Sequence, residues 1–368
     1  MKIIFANRSD SLTSKGGDTT QMLLTKKYLE SLYHLDIEIC LTLGELESKS
    51  FDILHVFNLQ TYRESAEFIK VALKKNCKVV LSPIYWNYKY SMFSYGLGLF
   101  NIYKPVKIYQ KLSEIVLCFS GMFASSSYLS AANRKCVSFI IDHSDIILPA
   151  SDEEMDLIFK HFGLPKGKKT LVVPNAVELN ENEVFESPVP KSDIIIQVAT
   201  LIPSKNQSGT LLALKKLPDF ELYFIGRIKD LKYYRYLLKL AKKRGRVFFT
   251  GELSQQDVTD FYKKARVHVL PSLGESTGLV TLEAFFHHCE IVVSKDPYSP
   301  VRYYKFNEIA HICDPYQVAS INMAILDAIK NPKLGTIDRR DYFDLFNYKT
   351  VARNTFEAYR SVLNDNSN

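Results

Sequence analysis

Two glutamates, Glu275 and Glu283, flank the small turn Ser276-Thr277-Gly278 in the stretch PSLGESTGLVTLEAFF, residues 271–286. A strand-like run, VHVL at 267–270, precedes them and a helical run follows the turn. That order puts Glu275 in a loop, Glu283 about two turns later on a helix, and the amides of 276–278 at the helix start. The free N–H groups and macrodipole of a helix start both favour an anion. The stretch could therefore offer amides to a phosphate and two carboxylates to hydroxyls. Its spacing fits equally an acid near a helix start plus a surface glutamate, so the neighbouring loops have to decide.

Three of those loops carry chemistry of the same kind. In ATLIPSKNQSG, Lys205 follows Pro203, where an ammonium could meet a diphosphate as a point charge, or simply be solvated. FIGR places Arg227 similarly, at the end of the next strand. Near the N-terminus, RSDSLTSKGGDTTQM carries Gly16-Gly17 before a helix that runs through Tyr28, so backbone could approach a ligand closely; alone, such a pair is often only a turn. Neither a G-x-G-x-x-G fingerprint nor a P-loop occurs.

These loops need strands to place them. Short β-branched runs alternate with helical patterns throughout. They are 2–7, 37–42, 53–58, 78–83, 146–151 and 171–175 in the first half, and 194–199, 220–226, 247–251, 267–272, 290–295 and 310–314 in the second. Near-continuous apolar strands between helices imply parallel sheets covered on both faces. Twelve such strands predict an α/β chain of two doubly wound, Rossmann-like domains facing a cleft, with ligands at the carboxyl ends of the strands. The boundary is expected in the acidic, proline-bearing stretch at about 180–193. This gives a first domain of 1–186 completed by a helix within 345–368, and a second of 187–344. On that last helix Ala352, Phe356, Tyr359 and Leu363 share one face.

Composition narrows the class. Of 368 residues, 46% are apolar and 24% charged, as in a soluble globular protein. Six scattered cysteines form no C-x-x-C pair, and this fits a reducing cytoplasm rather than a disulfide framework or zinc site. The N-terminal apolar run is too short for a signal peptide. The uncharged segment Ile115 to Asn133 is expected to be buried or interfacial, because its serines argue against a membrane span. From 68 to 113 there are eight lysines and no acid, interleaved with aromatics such as Tyr85, Trp86, Tyr95 and Phe100. That mixture suits an anionic membrane surface, would be tolerated by nucleic acid, and is also what a lysine face over core aromatics looks like.

The second half resembles the donor-binding domain of family-four retaining glycosyltransferases of the GT-B architecture. ESTGLVTLEA matches their Glu-x7-Glu pattern, ATLIPSKN their G-R-L-x-x-x-K-N loop, and PNAVE (174–178) their P-N-G-V-D. The resemblance covers nearly the whole chain, strongly in the second half and loosely between residues 85 and 140, and implies that the C-terminal helix crosses back to the first domain. It implies a retaining hexosyltransferase that moves a sugar from a nucleotide-sugar donor to a saccharide acceptor. Glu275 would hold sugar hydroxyls, with the amides of Ser276, Thr277 and Gly278 near sugar and phosphate. Glu283 would accept from the ribose diol, Lys205 would neutralise the diphosphate, and Gly16 and Gly17 would bring backbone to the phosphates or acceptor.

No metal or other cofactor is implied. Two departures stand out: Thr200 replaces the family arginine, with Arg227 as the substitute cation, and Ile84 stands near the place of a usual histidine. His55 and His143 are the nearest histidines, and both read as structural. The lysine–aromatic segment suggests a lipid-linked acceptor at the cytoplasmic face of a membrane, as in surface polysaccharide or lipopolysaccharide assembly, with no nucleic-acid partner. The alternatives are a nucleotide-sugar epimerase of the same fold and a non-catalytic membrane- or nucleic-acid-binding relative.

Overall fold

The computed structural model describes residues 1–13, 16–119, 131–179, 181–185, 189–276, 278–334 and 338–364. It divides into two compact units, one of residues 1–86, 122–178 and 341–368, the other of residues 87–121 and 179–340. Each is built on a six-stranded parallel sheet with helices on both faces.

In the first unit the strands are β1 (Lys2–Ala6), β2 (Asp36–Cys40), β3 (Ile53–Phe57), β4 (Lys78–Ser82), β5 (Ile146–Ile147) and β6 (Lys169–Thr170), in the order β2-β1-β3-β4-β5-β6. Alternate residues feed opposite faces. Ile4, Ala6, Leu54 and Val56 enter one buried cluster, while Ile3, Phe5, Ile53 and Phe57 enter the other. The two-residue side-chain period of a strand, with helices over both faces, produces those unbroken apolar runs. The helix Tyr348–Asn364 packs beside the helix Gly17–Tyr33. Ala352 and Tyr359 are fully buried, and Phe356 and Leu363 pack on the same cluster. The expected face is the one used, so this C-terminal helix belongs to the first unit.

Both histidines are structural. His55 is buried on β3, with Nδ1 2.7 Å from the Tyr359 hydroxyl and Nε2 2.9 Å from Ser82 Oγ, and burial pushes its pKa down to about 3. It ties the sheet to the C-terminal helix as a neutral imidazole. His143 is exposed, with Nδ1 2.8 Å from the Phe139 carbonyl. Ile84, at the position of the expected family histidine, takes φ 46°, a left-handed conformation in which a β-branched residue is an outlier. The buried Glu154 carboxylate accepts the amides of Tyr85, just after it, and of Ala150, which pins this turn to the next strand end.

In the second unit the strands are β7 (Ser192–Val198), β8 (Glu221–Ile225), β9 (Val247–Gly251), β10 (Ala265–Leu270), β11 (Glu290–Ser294) and β12 (Ala310–Cys313), in the order β12-β11-β10-β7-β8-β9.

Residues 87–121, expected in the first domain, pack with this second unit. They form the helices Lys89–Leu99 and Lys107–Phe119. The lysine-rich run 68–113 is therefore divided between two units. Of its aromatics, Tyr85, Trp86, Tyr90 and Tyr103 are buried, Tyr88, Phe93 and Tyr109 are half-buried, and Tyr95 and Phe100 are exposed. Of the uncharged segment 115–133, residues 120–130 lie outside the described residues. Among the described residues no helix is long and apolar enough to cross a membrane.

Candidate functional site

The second sheet reverses direction between β7 and β10. From β7 the chain proceeds to β8 on one side, and from β10 to β11 on the other. The crevice at the carboxyl ends of two such strands is where doubly wound sheets bind ligands. Lys205 lies in the loop after β7 and Glu275 in the loop after β10. Their side chains meet across that crevice, Nζ donating to Oε2 at 2.5 Å, with 22% and 15% of each side chain still exposed. Burial alone would lower the Lys205 pKa, but the charge and hydrogen bond of Glu275 more than offset this and it is raised, so the ammonium stays charged. An ammonium has three N–H donors, and one carboxylate oxygen uses one of them, which leaves two for a phosphate.

Residues that spacing could not reveal hold this pair in place. Gln197, fully buried on β7, donates from Nε2 to the Lys205 carbonyl at 2.6 Å and accepts from Thr210 Oγ1 at 2.8 Å. Asn206 takes a left-handed φ of 56°, and its Nδ2 donates to the carbonyls of Pro271 and Pro315, stitching together the loops after β7, β10 and β12. The Ser204 carbonyl accepts the Leu273 amide at 2.8 Å, and the Glu275 amide donates to the Tyr298 carbonyl at 2.8 Å. Nothing in the sequence pointed to these partners.

Gly278, φ 56°, caps the helix Leu279–Phe286 with no side-chain cap, so the helix start stays open to another acceptor. Ser276 Oγ accepts from the Tyr88 hydroxyl at 3.3 Å. Thr277 lies outside the described residues. Glu283 sits on the same helix but bonds neither Lys205 nor Glu275 among the described residues; it accepts from the buried Tyr262 hydroxyl at 3.2 Å and from Gln255. Burial pushes its carboxyl up to about 7, and those two hydrogen bonds offset only part of the effect.

If Glu283 receives a diol, it does so in its ionised form, and affinity for a diol-bearing ligand should rise about tenfold per pH unit below 7 and level off above it. Calorimetric titration across this range checks it, and Glu283→Gln should flatten the dependence. The stability linkage has the opposite sense. Folded Glu283 keeps a proton that the unfolded chain releases near 4.5, so its contribution is fully present below that pH and is lost as pH rises through about 7.

Thr200 is half-buried, and its carbonyl accepts Gln207 Nε2 at 3.0 Å. Arg227 is exposed at the end of β8, and its carbonyl accepts the Leu201 amide at 2.9 Å. Its guanidinium makes no hydrogen bond or ion pair among the described residues. The arginine is thus fixed by backbone beside the loop that carries Thr200.

Gly16 and Gly17 lie in the first unit. Gly16 is the N-cap of the 17–33 helix, in extended backbone and without a side-chain cap. The first sheet reverses between β1 and β3, and there Asp18 accepts from Arg8 Nε at 2.8 Å and from Asn58 Nδ2 at 3.3 Å. A Cβ on Gly16 would lie 2.8 Å from Asp18 Oδ1, so the glycine makes room for this carboxylate. Arg8, Asp18 and Asn58 escaped sequence reading because their partnership spans fifty positions. Among the described residues no three His, Cys, Asp or Glu side chains gather to hold a metal ion.

Comparison with known proteins gives this geometry a context. Residues 180–343 match the family model for glycosyl transferases group 1. A D-inositol 3-phosphate glycosyltransferase of Corynebacterium glutamicum is 26% identical over 175 residues, which cover 42% of this chain and 42% of that protein, less than half its length. The sucrose-phosphate synthase of Thermosynechococcus elongatus superimposes with a TM-score of 0.71 at 15% identity, covering 99% of both chains. Anabaena HepE, solved with UDP and glucose, gives 0.68 at 14% identity over 98% of this chain and 100% of that one. The lipopolysaccharide outer core galactosyltransferase WaaB gives 0.60 at 16% identity over 97% and 100%. At such identities these structures establish the shared fold, the GT-B fold. The family model covers less than half of this chain, residues 180–343, and the solved structures show the fold.

Proposed function

We infer that this chain transfers a sugar from a nucleotide-sugar donor to a saccharide acceptor with retention of anomeric configuration. The observation that carries this is the Lys205–Glu275 pair at the strand-order reversal of the second sheet. In this reading Lys205 faces the diphosphate, and its charge gains value as the anomeric C–O bond breaks and negative charge collects on the leaving group. Arg227 supplies the second cation that Thr200 cannot. Glu275 receives sugar hydroxyls, the turn at Ser276, Thr277 and Gly278 gives amides to sugar and phosphate, and Glu283 receives the ribose diol. Gly16 and Gly17 bring backbone towards the phosphates or acceptor, beside Arg8 and Asp18. The acceptor hydroxyl oxygen forms the new bond to the anomeric carbon as the bond to the diphosphate breaks, its proton passes to the departing phosphate oxygen, and no metal takes part.

The activities named for similar proteins favour a sugar or sugar phosphate as acceptor and, for WaaB, a lipopolysaccharide. The acceptor in this reading is lipid-linked and met at the cytoplasmic face of a membrane, in surface-glycan assembly; the likeness to WaaB and the lysine-rich run 68–113 support it. Nucleic acid has no part in it.

Incubation with a panel of nucleotide sugars and candidate lipid-linked saccharides, read by NMR of the product's anomeric proton, tests the reading. It predicts free nucleoside diphosphate and a glycoside of unchanged configuration. Inverted product refutes retention, and epimerised donor without transfer refutes the whole reading.

A further inference from the structure

The helix Lys89–Leu99 starts beside the turn that carries Glu275. A Cβ on Gly274 would lie 2.8 Å from Ser91 Oγ and 3.3 Å from Tyr88 Cδ1. Because Gly274 has no side chain, the Tyr88 ring can lie against the backbone that leads into Glu275. Its hydroxyl reaches past Glu275 and donates to Ser276 Oγ at 3.3 Å. The same hydroxyl is within electrostatic reach of Lys205, as is that of Tyr95. One side chain from the 87–121 segment thus meets both the turn after Glu275 and the ammonium paired with Glu275.

Tyr88 is half-buried and is the N-cap residue of its helix, yet its side chain makes no capping hydrogen bond. The ring is directed at the 274–276 turn instead. At 3.3 Å the bond to Ser276 is long for an O–H donor and an oxygen acceptor, so it orients the hydroxyl without holding it tightly. A phenol oxygen also carries two lone pairs, and it can accept from a ligand hydroxyl while its own proton stays on Ser276. The neighbouring charges are less versatile. An ammonium only donates and a carboxylate only accepts, whereas a sugar hydroxyl does both. Tyr88 adds a neutral hydroxyl to the Lys205–Glu275 crevice, aligned by packing before any ligand arrives.

We propose that Tyr88 recognises the transferred sugar: its hydroxyl accepts from a sugar hydroxyl while donating to Ser276, and so selects donors that carry a hydroxyl at that place. The role rests on the nucleotide-sugar reading of the crevice. Tyr88 serves the sugar rather than the nucleoside, because its contacts are to the turn beside Glu275, while Glu283, the residue assigned to the ribose, bonds neither Lys205 nor Glu275 among the described residues. A donor without that hydroxyl would bind as if the tyrosine were a phenylalanine.

The test compares the full chain with Tyr88→Phe, which keeps the ring against Gly274 and removes only the hydroxyl. Calorimetry gives Kd for UDP, UDP-glucose and UDP-galactose, for GDP and GDP-mannose, and for ADP and ADP-glucose. For the nucleotide that binds, the expected result is an unchanged diphosphate Kd and a nucleotide-sugar Kd raised about fivefold, the scale of one neutral hydrogen bond. Analogues of that nucleotide sugar, each lacking one sugar hydroxyl, then locate the contact, because for one of them parent and variant should bind alike. An unchanged ratio of nucleotide-sugar to diphosphate affinity in the variant overturns the proposal and leaves the donor-site reading standing. Binding of no nucleotide by the parent overturns the donor-site reading and the proposal with it.

Discussion

Lys205→Met should lower sugar transfer by about 10²–10³-fold, the scale for removing one preorganised charge from a developing anion. Nucleotide affinity should fall less than turnover, because the charge on the leaving diphosphate grows towards the transition state. The pair predicts a second consequence. Glu275 is mostly buried and pairs with Lys205, so the methionine variant strands a carboxylate in the crevice. Lys205→Met should therefore melt below the parent, and adding Glu275→Gln should recover part of that loss without recovering activity. Lys205→Arg should restore the charge but only part of the rate, because a planar fork cannot reproduce the point donor that meets Glu275 and a phosphate together. Steady-state kinetics on the three variants, with thermal melts beside them, separates the catalytic effect from the structural one.

Gly226→Ala carries the largest expected loss of stability, about 3 kcal/mol or more. Gly226 follows β8 with φ 146°, and an added Cβ would lie 2.3 Å from the Ala199 carbonyl oxygen and 3.2 Å from the Thr200 amide. Both neighbours are backbone just past β7, so neither can turn away. Gly226 also donates its amide to the Gly251 carbonyl at 2.8 Å, so a shift to relieve the clash would break the sheet hydrogen bonding. Gly44→Ala is the control. It lies in the short helix Leu43–Ser48 with nothing near the added carbon, and should be neutral or slightly stabilising. Urea unfolding of both variants checks the contrast. The clash also bears on function, because the same backbone contact sets Arg227 beside the Thr200 loop.

Much of this molecule was legible from its sequence. Strand burial on two faces writes itself as runs such as ILHVF and EIVVS, and eleven of the twelve strands occur where those runs lie, whereas β6 forms at Lys169–Thr170, ahead of the expected 171–175. The helical stripe of Ala352 and Tyr359 pointed to its buried face because helical periodicity is local. What stayed hidden is long-range. Lys205 and Glu275 are 70 positions apart, and only the strand order puts their loops side by side. Asn206 and Gln197 are polar residues like any others until the carbonyls they serve are known.

The aromatics of 85–109 misled in a physical way. Tyrosine carries both an apolar ring and a polar tip, so composition cannot say whether the ring is core or surface. Tyr90 proves to pack edge-on against Tyr298 at 4.8 Å, inside the second unit, and the exposed apolar side chains flanking the lysines are mainly aliphatic. The assignment of 87–121 to the first domain went the same way, because chain order suggested it and contacts made by Tyr88, Ser91 and Tyr103 decided otherwise.

The central claim is that the loops after β7 and β10, with Glu283, form a nucleotide-sugar site. Calorimetric titration of UDP, GDP, ADP and CMP into the parent chain and into Glu283→Ala tests it most directly. The account predicts that one nucleotide binds in the micromolar range and that the variant loses about 1.5–3 kcal/mol, the scale of a hydrogen bond to a charged group. Equal binding by parent and variant, or no binding by any of the four, would contradict it.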